Sequence, residues 1–81
     1  MAIQMKSVIT TKMEGDAKTH TLTEMKVRDL SILTDEPVER GGTNKAPSPT
    51  ETMLASLIGC TNVITQRIAA KHGIDVLGLK I

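Results

Sequence analysis

The sequence predicts an α+β fold in which antiparallel strands are followed by a long central helix and a further strand. Three observations carry this reading. The first third shows period-2 alternation and threonine-rich stretches, the middle is broken by Pro, Gly and charge, and a capped apolar-periodic run follows. From Ile3 to Met13 the odd positions read Ile3, Met5, Ser7, Ile9, Thr11 and Met13 against mostly polar even positions, the pattern of a strand with one buried face. Glu14-Gly15-Asp16 has turn chemistry, so Ala17 to Val27, with Met25 and Val27 on one side, completes a hairpin. After Arg28-Asp29, Leu30 to Thr34 is a third strand candidate.

Residues 35 to 47 change character. Asp35-Glu36-Pro37, Gly41-Gly42, Asn44 and Pro47 leave no room for regular structure, and a connection this long in a small domain points to function. The helix start is well marked. Ser48-Pro49-Thr50-Glu51 combines an N-cap serine, proline at the first helical position and glutamate at the third, which is a capping box. The helix should run to about His72, with Lys71 complementing its dipole and Gly73 providing a left-handed cap. Met53, Leu57, Cys60, Ile64 and Ile68 form one stripe on it, and Leu54 and Ile58 a second beside the first. Apolar residues around so much of the circumference imply cover on more than one side. Ile74 to Ile81 reads as the last strand, and the sequence stops within it.

Eighty-one residues form a single domain, residues 1–81, and a chain of this length buries only about 60% of the surface its unfolded form exposes. Such a core needs help. One cysteine excludes an internal disulfide, and with two histidines it is too little for a structural zinc site, so no metal and no cofactor are expected. Oligomerisation remains, as a homodimer or larger. Ten basic and nine acidic residues and no aromatic side chain argue against nucleic acid as a partner. No apolar run is long enough for a membrane span and no signal-peptide pattern is present, so no membrane role is expected. The lone thiol fits a reducing compartment, hence the cytoplasm.

Cys60 is the one strong nucleophile. On an apolar stripe it reads, from the residues alone, more readily as inert packing, and a reactive role would require positive charge or a helix N-terminus to stabilise the thiolate. Three turns into the helix, the dipole contributes little, although Gly59 beside it permits a kink or a close approach. Glu51 has a full structural explanation in the capping box. Arg28, Arg40 and Arg67 are the arginines available to hold a thiolate, each with a solvated surface role as its alternative. His20 and His72 are placed in a strand and at a helix end, with no metal spacing between them.

Asp35-Glu36-Pro37, Gly41-Gly42, Ala46-Pro47-Ser48-Pro49-x-Glu51, Gly59-Cys60 and Gly73-Ile74-x-Val76 stand in an ordered series. The series closely resembles the first half of the OsmC/Ohr family, in its OsmC-like branch, over roughly residues 25 to 78. The resemblance implies an intertwined homodimer around long central helices and a peroxidatic cysteine at Cys60 that reduces organic hydroperoxides. It implies Glu51 and an arginine, carried over as Arg28, as the groups supporting that thiol. Family members are longer, and their second half bears a resolving cysteine that this sequence does not contain. In the best-known peroxidases of the family the glutamate directly follows the loop proline, where Thr50 stands here; Glu51 matches the OsmC-like branch. Their arginine sits near the first hairpin, which here has only Lys12 and Lys18. The expected function is thiol-dependent hydroperoxide reduction in oxidative-stress defence, with an external thiol as reductant. The alternatives are a half-length, non-enzymatic dimerisation module and a redox-sensing thiol.

Overall fold

The computed structural model describes residues 8–81. Two reverse turns define a three-stranded antiparallel sheet of order β1-β2-β3, with β1 at Met13–Ala17, β2 at Thr23–Val27 and β3 at Leu30–Thr34. The β2–β3 connection is the shorter. Val27 pairs with Leu30 across Arg28-Asp29, and Arg28 takes φ 55° so that two residues suffice to reverse the chain.

The first turn departs from the expectation. Glu14-Gly15-Asp16 lies inside β1, and the chain reverses over residues 18–22 instead. The reason is a local hydrogen-bond set. The Thr19 hydroxyl oxygen accepts from the amides of Thr21 and Leu22, at 3.2 and 2.9 Å, while Lys18 and Thr19 amides donate to the Leu22 carbonyl. Asp16 and Lys18 form an ion pair at 2.8 Å beside the turn. The expected strand from Ile3 is therefore not seen over residues 8–12, which have no strand, and its residues 3–7 lie outside the described residues.

The register makes the sheet amphipathic. Met13 faces Val27, Gly15 faces Met25, Met25 faces Ile32 and Val27 faces Leu30, so these side chains share one surface. Glu14, Asp16, Glu24, Lys26 and Ser31 share the other, with Leu33 the one apolar exception.

The expected loop holds a single 3₁₀ turn, Val38–Arg40, which Gly41 closes at φ 85°. The helix α1 then spans Pro49–Lys71. Its capping box is complete: the Ser48 amide donates to Glu51 Oε1 at 2.8 Å, and the Glu51 amide donates to Ser48 Oγ at 3.1 Å. The other end is a Schellman motif. Gly73, at φ 69°, lets its own amide reach the Ala70 carbonyl and the Ile74 amide reach that of Ala69. No strand forms over residues 74–81, because no described segment of this chain lies alongside to pair with them.

The apolar band of α1 is bare. Met53 and Leu57 are each 61% exposed and Ile64 is 54% exposed, and Ala69 is the one buried apolar residue described. Among the described residues no strand packs extensively against the helix. The radius of gyration is accordingly 16.7 Å, against about 12 Å for a compact domain of this length.

The capping box predicts that Ser48→Ala lowers stability by about 1 kcal/mol, while Glu51→Gln costs less, because the amide oxygen still accepts from Ser48 and only the charge is lost. Urea unfolding of the three chains at equal concentration, followed by the helical circular dichroism band, measures both.

Candidate functional site

Three residues expected to cooperate stand on different parts of the chain. Cys60 is exposed near the middle of α1. Its helical neighbours three and four positions away are Ser56, Leu57, Val63 and Ile64, an apolar collar with no cation in it. Glu51 is nine residues earlier, which on an α-helix is about 14 Å along the axis and about half a turn around it. Within one chain, α1 itself therefore separates the carboxylate from the thiol. Arg28 sits in the β2–β3 turn, exposed and outside every salt bridge of the described residues. Arg67, two turns beyond Cys60, shares its side of the helix at about 10 Å along the axis. A single chain does not bring Cys60, Glu51 and an arginine together.

Glu51 is nonetheless held as an anion. The Ser48 amide, and after it the Ser48 hydroxyl, lower its proton affinity below the ordinary carboxylate value. Oε1 is committed to the Ser48 amide. The second carboxylate oxygen remains available to an arginine, so the structural and chemical roles of Glu51 are compatible.

The most organised polar centre is one to which sequence reading gave no chemical role. Asp35, immediately after β3, is fully buried. Its carboxylate accepts from the Glu36 amide at 2.7 Å, the Lys45 amide at 3.1 Å, the Thr43 amide at 3.4 Å and the Thr43 hydroxyl. The hydroxyls of Thr43 and then Thr21 hold its proton affinity well below the ordinary range, against the opposing effect of burial. Gly42 belongs to the same construction, since a Cβ there would lie 1.9 Å from the Glu36 carbonyl oxygen. A readable signal existed: Asp-x-Pro followed by Gly-Gly marks a turn in which a short acidic side chain can collect backbone amides.

Elsewhere the surface offers little. A shallow depression of about 280 Å³ lies among Glu14, Gly15, Asp16, Lys18, Glu24 and Lys26, on the polar face of the first hairpin and apart from Cys60. Among the described residues no three His, Cys, Asp or Glu side chains gather as a metal would require, and no helix is long and apolar enough to cross a membrane.

Comparison with known proteins yields one result. The family model described as OsmC-like protein matches residues 42–81, which begin at Gly42 in the loop and take in all of α1 and the segment after it. No curated protein and no solved structure matches the chain.

Asp35 and Glu51 both contribute to the acid response, as does Asp16, whose carboxylate the hydrogen bond from Lys18 holds below its ordinary value. The Asp35 and Glu51 carboxylates titrate lower in the folded chain than the ordinary 3.8 and 4.5, so their stabilisation is complete above those values and is lost as pH falls toward the lowered folded ones. Asp35→Asn is therefore expected to flatten the decline in stability below pH 3.8, and chemical unfolding across a pH series reads it directly.

Proposed function

We propose, from the match of residues 42–81 to the family model described as OsmC-like protein, that the function of this chain is reduction of organic hydroperoxides by Cys60 in a homodimer. The observation that carries the reading is the position of Cys60. It stands exposed at the centre of an uncovered apolar helix, inside the family-matched segment. A second chain laid on that band would convert an open thiol into one enclosed by apolar walls, a setting suited to an alkyl hydroperoxide.

The amount of uncovered surface supports the second chain. The accessible area is 7240 Å², whereas a compact monomer of this mass exposes about 4,700 Å². The excess of about 2,500 Å² per chain is of the size that obligate partners bury. Monomeric proteins rarely leave an apolar patch of more than a few hundred Å² open.

The chemistry follows from the thiolate. Cys60 sulfur attacks the distal oxygen of ROOH, the O–O bond breaks, and the leaving alkoxide takes a proton to become ROH. Cys60 is left as a sulfenic acid. A small dithiol then attacks this sulfur with loss of water, and its second thiol displaces Cys60 as thiolate, leaving the reductant as a disulfide. The supporting cation has to come from across the interface, because the collar around Cys60 has none. Arg28 is the arginine carried by the resemblance, with Glu51, kept anionic by its cap, to orient it.

A second reading rests on the same exposed surface: an assembly module without turnover. Cumene hydroperoxide consumption with dithiothreitol separates the two. The wild-type chain is expected to turn over peroxide, and Cys60→Ser to fall to the rate of buffer with dithiothreitol while keeping its oligomeric state. An intact dimer with an unreactive Cys60 would leave only the assembly module.

The dimer has its own test. Dilution is expected to unfold the chain as it dissociates, so the helical signal should fall with concentration in step with sedimentation mass. A cooperatively folded monomer would contradict it.

A further inference from the structure

We infer that the loop between β3 and α1 is a rigid brace that sets the direction of the helix relative to the sheet, with Asp35 as its positioning residue. Helices in small domains are usually aimed by the side chains they pack against. Here no strand packs extensively on α1, so the connection must do the aiming. A Gly- and Pro-containing connection of this length would otherwise let its two ends wander.

The loop prevents this by tying its ends together. Asp35 is the first residue after β3, and Pro47 immediately precedes the Ser48 cap of α1. The Asp35 amide donates to the Pro47 carbonyl at 2.9 Å, joining the end of the sheet to the start of the helix. From the same residue the carboxylate reaches into the loop, to the amides of Glu36, Thr43 and Lys45 and the hydroxyl of Thr43. The interior is closed by further backbone bonds, with the Gly42 amide on the Pro37 carbonyl and the Asn44 amide on the Glu36 carbonyl, each at 3.0 Å. Gly42 passes so close to Glu36 that no side chain fits between them.

The kind of bond matters. No salt bridge of the described residues involves Asp35, and Lys45 contributes its backbone amide to the carboxylate. Directional hydrogen bonds to fixed amides specify an angle, which a mobile ammonium would not. Among the described residues no buried side-chain polar atom lacks a partner, so the Asp35 carboxylate is fully satisfied within the loop. This inference does not depend on the proposed peroxide chemistry.

Pulsed dipolar spectroscopy tests it on the full chain. Spin labels are attached at Lys26→Cys on the sheet and Gln66→Cys on the helix in a Cys60→Ser background, with excess unlabelled chain added so that only pairs within one chain are read. Both sites are exposed, and the long dimension of the chain, 48 Å, is within reach of the method. A single narrow distance is expected. Thr43→Val, which removes the hydroxyl donor, and Gly42→Ala, which forces the clash, are each expected to abolish the narrow peak while helical circular dichroism is retained. Thr43→Ser is expected to restore it. A broad distribution in the unsubstituted loop would overturn the brace, as would a narrow peak that survives Thr43→Val. Should Gly42→Ala unfold, the Thr43 pair still decides the matter.

Discussion

The governing constraint is that α1 has more apolar circumference than the other described residues cover. Its stripe through Met53, Leu57, Cys60, Ile64 and Ile68 is open to solvent in most of its length, and so are Leu54 and Ile58. The sheet has the same problem on a smaller scale, with Met13, Leu30 and Ile32 on its apolar face at least one-third exposed. Two amphipathic elements in one small domain would ordinarily bury these faces against each other. Among the described residues they do not pack extensively against each other. Local bonds specify each element, while the free energy of a hydrophobic core remains ungained within the single chain.

What does hold the chain together is polar. The Thr19-centred turn, the Asp35-centred loop, the capping box and the Schellman motif each satisfy backbone groups that an irregular segment would otherwise leave open. Such bonds define shape well but contribute modestly to stability, because water competes for every one of them. On the proposed dimer reading, such a chain would be a preorganised half of an interface, with ordering entropy met before a partner arrives.

This arrangement bears on the chemistry. Thiolate reactivity needs an adjacent positive charge and a site closed to bulk water. Cys60 has neither from its own helix, and Glu51 lies on the opposite side of that helix. An exposed thiol on an apolar band becomes a site only when the band is covered, so on this reading assembly and reactivity are one event. The dual use of Glu51 is economical in the same way: the cap that starts the helix also keeps the carboxylate anionic and its position fixed.

The elements whose ends are marked by local chemistry were legible in the sequence. Ser48, Pro49 and Glu51 start α1 and Gly73 ends it, because caps depend on residues within a few positions of one another. Leu30–Thr34 was legible for a similar reason, being bounded by a two-residue turn and by the loop at Asp35. The first hairpin was not. Glu14-Gly15-Asp16 has the composition of a turn, yet the Thr19 hydroxyl and the pairing of β1 with β2 place it in a strand. The strand expected over Ile74 to Ile81 was likewise not decided by sequence, since a strand exists only when another backbone lies beside it. Asp35 shows the same division within one residue. Its identity as a turn former was visible, but its burial and three of its donors, from Thr43 and Lys45, arrive only once the chain folds back. Sequence alone thus determined the caps, the helix and its apolar face. Tertiary structure decided strand register and the role of Asp35, because these depend on contacts between residues that periodicity cannot relate.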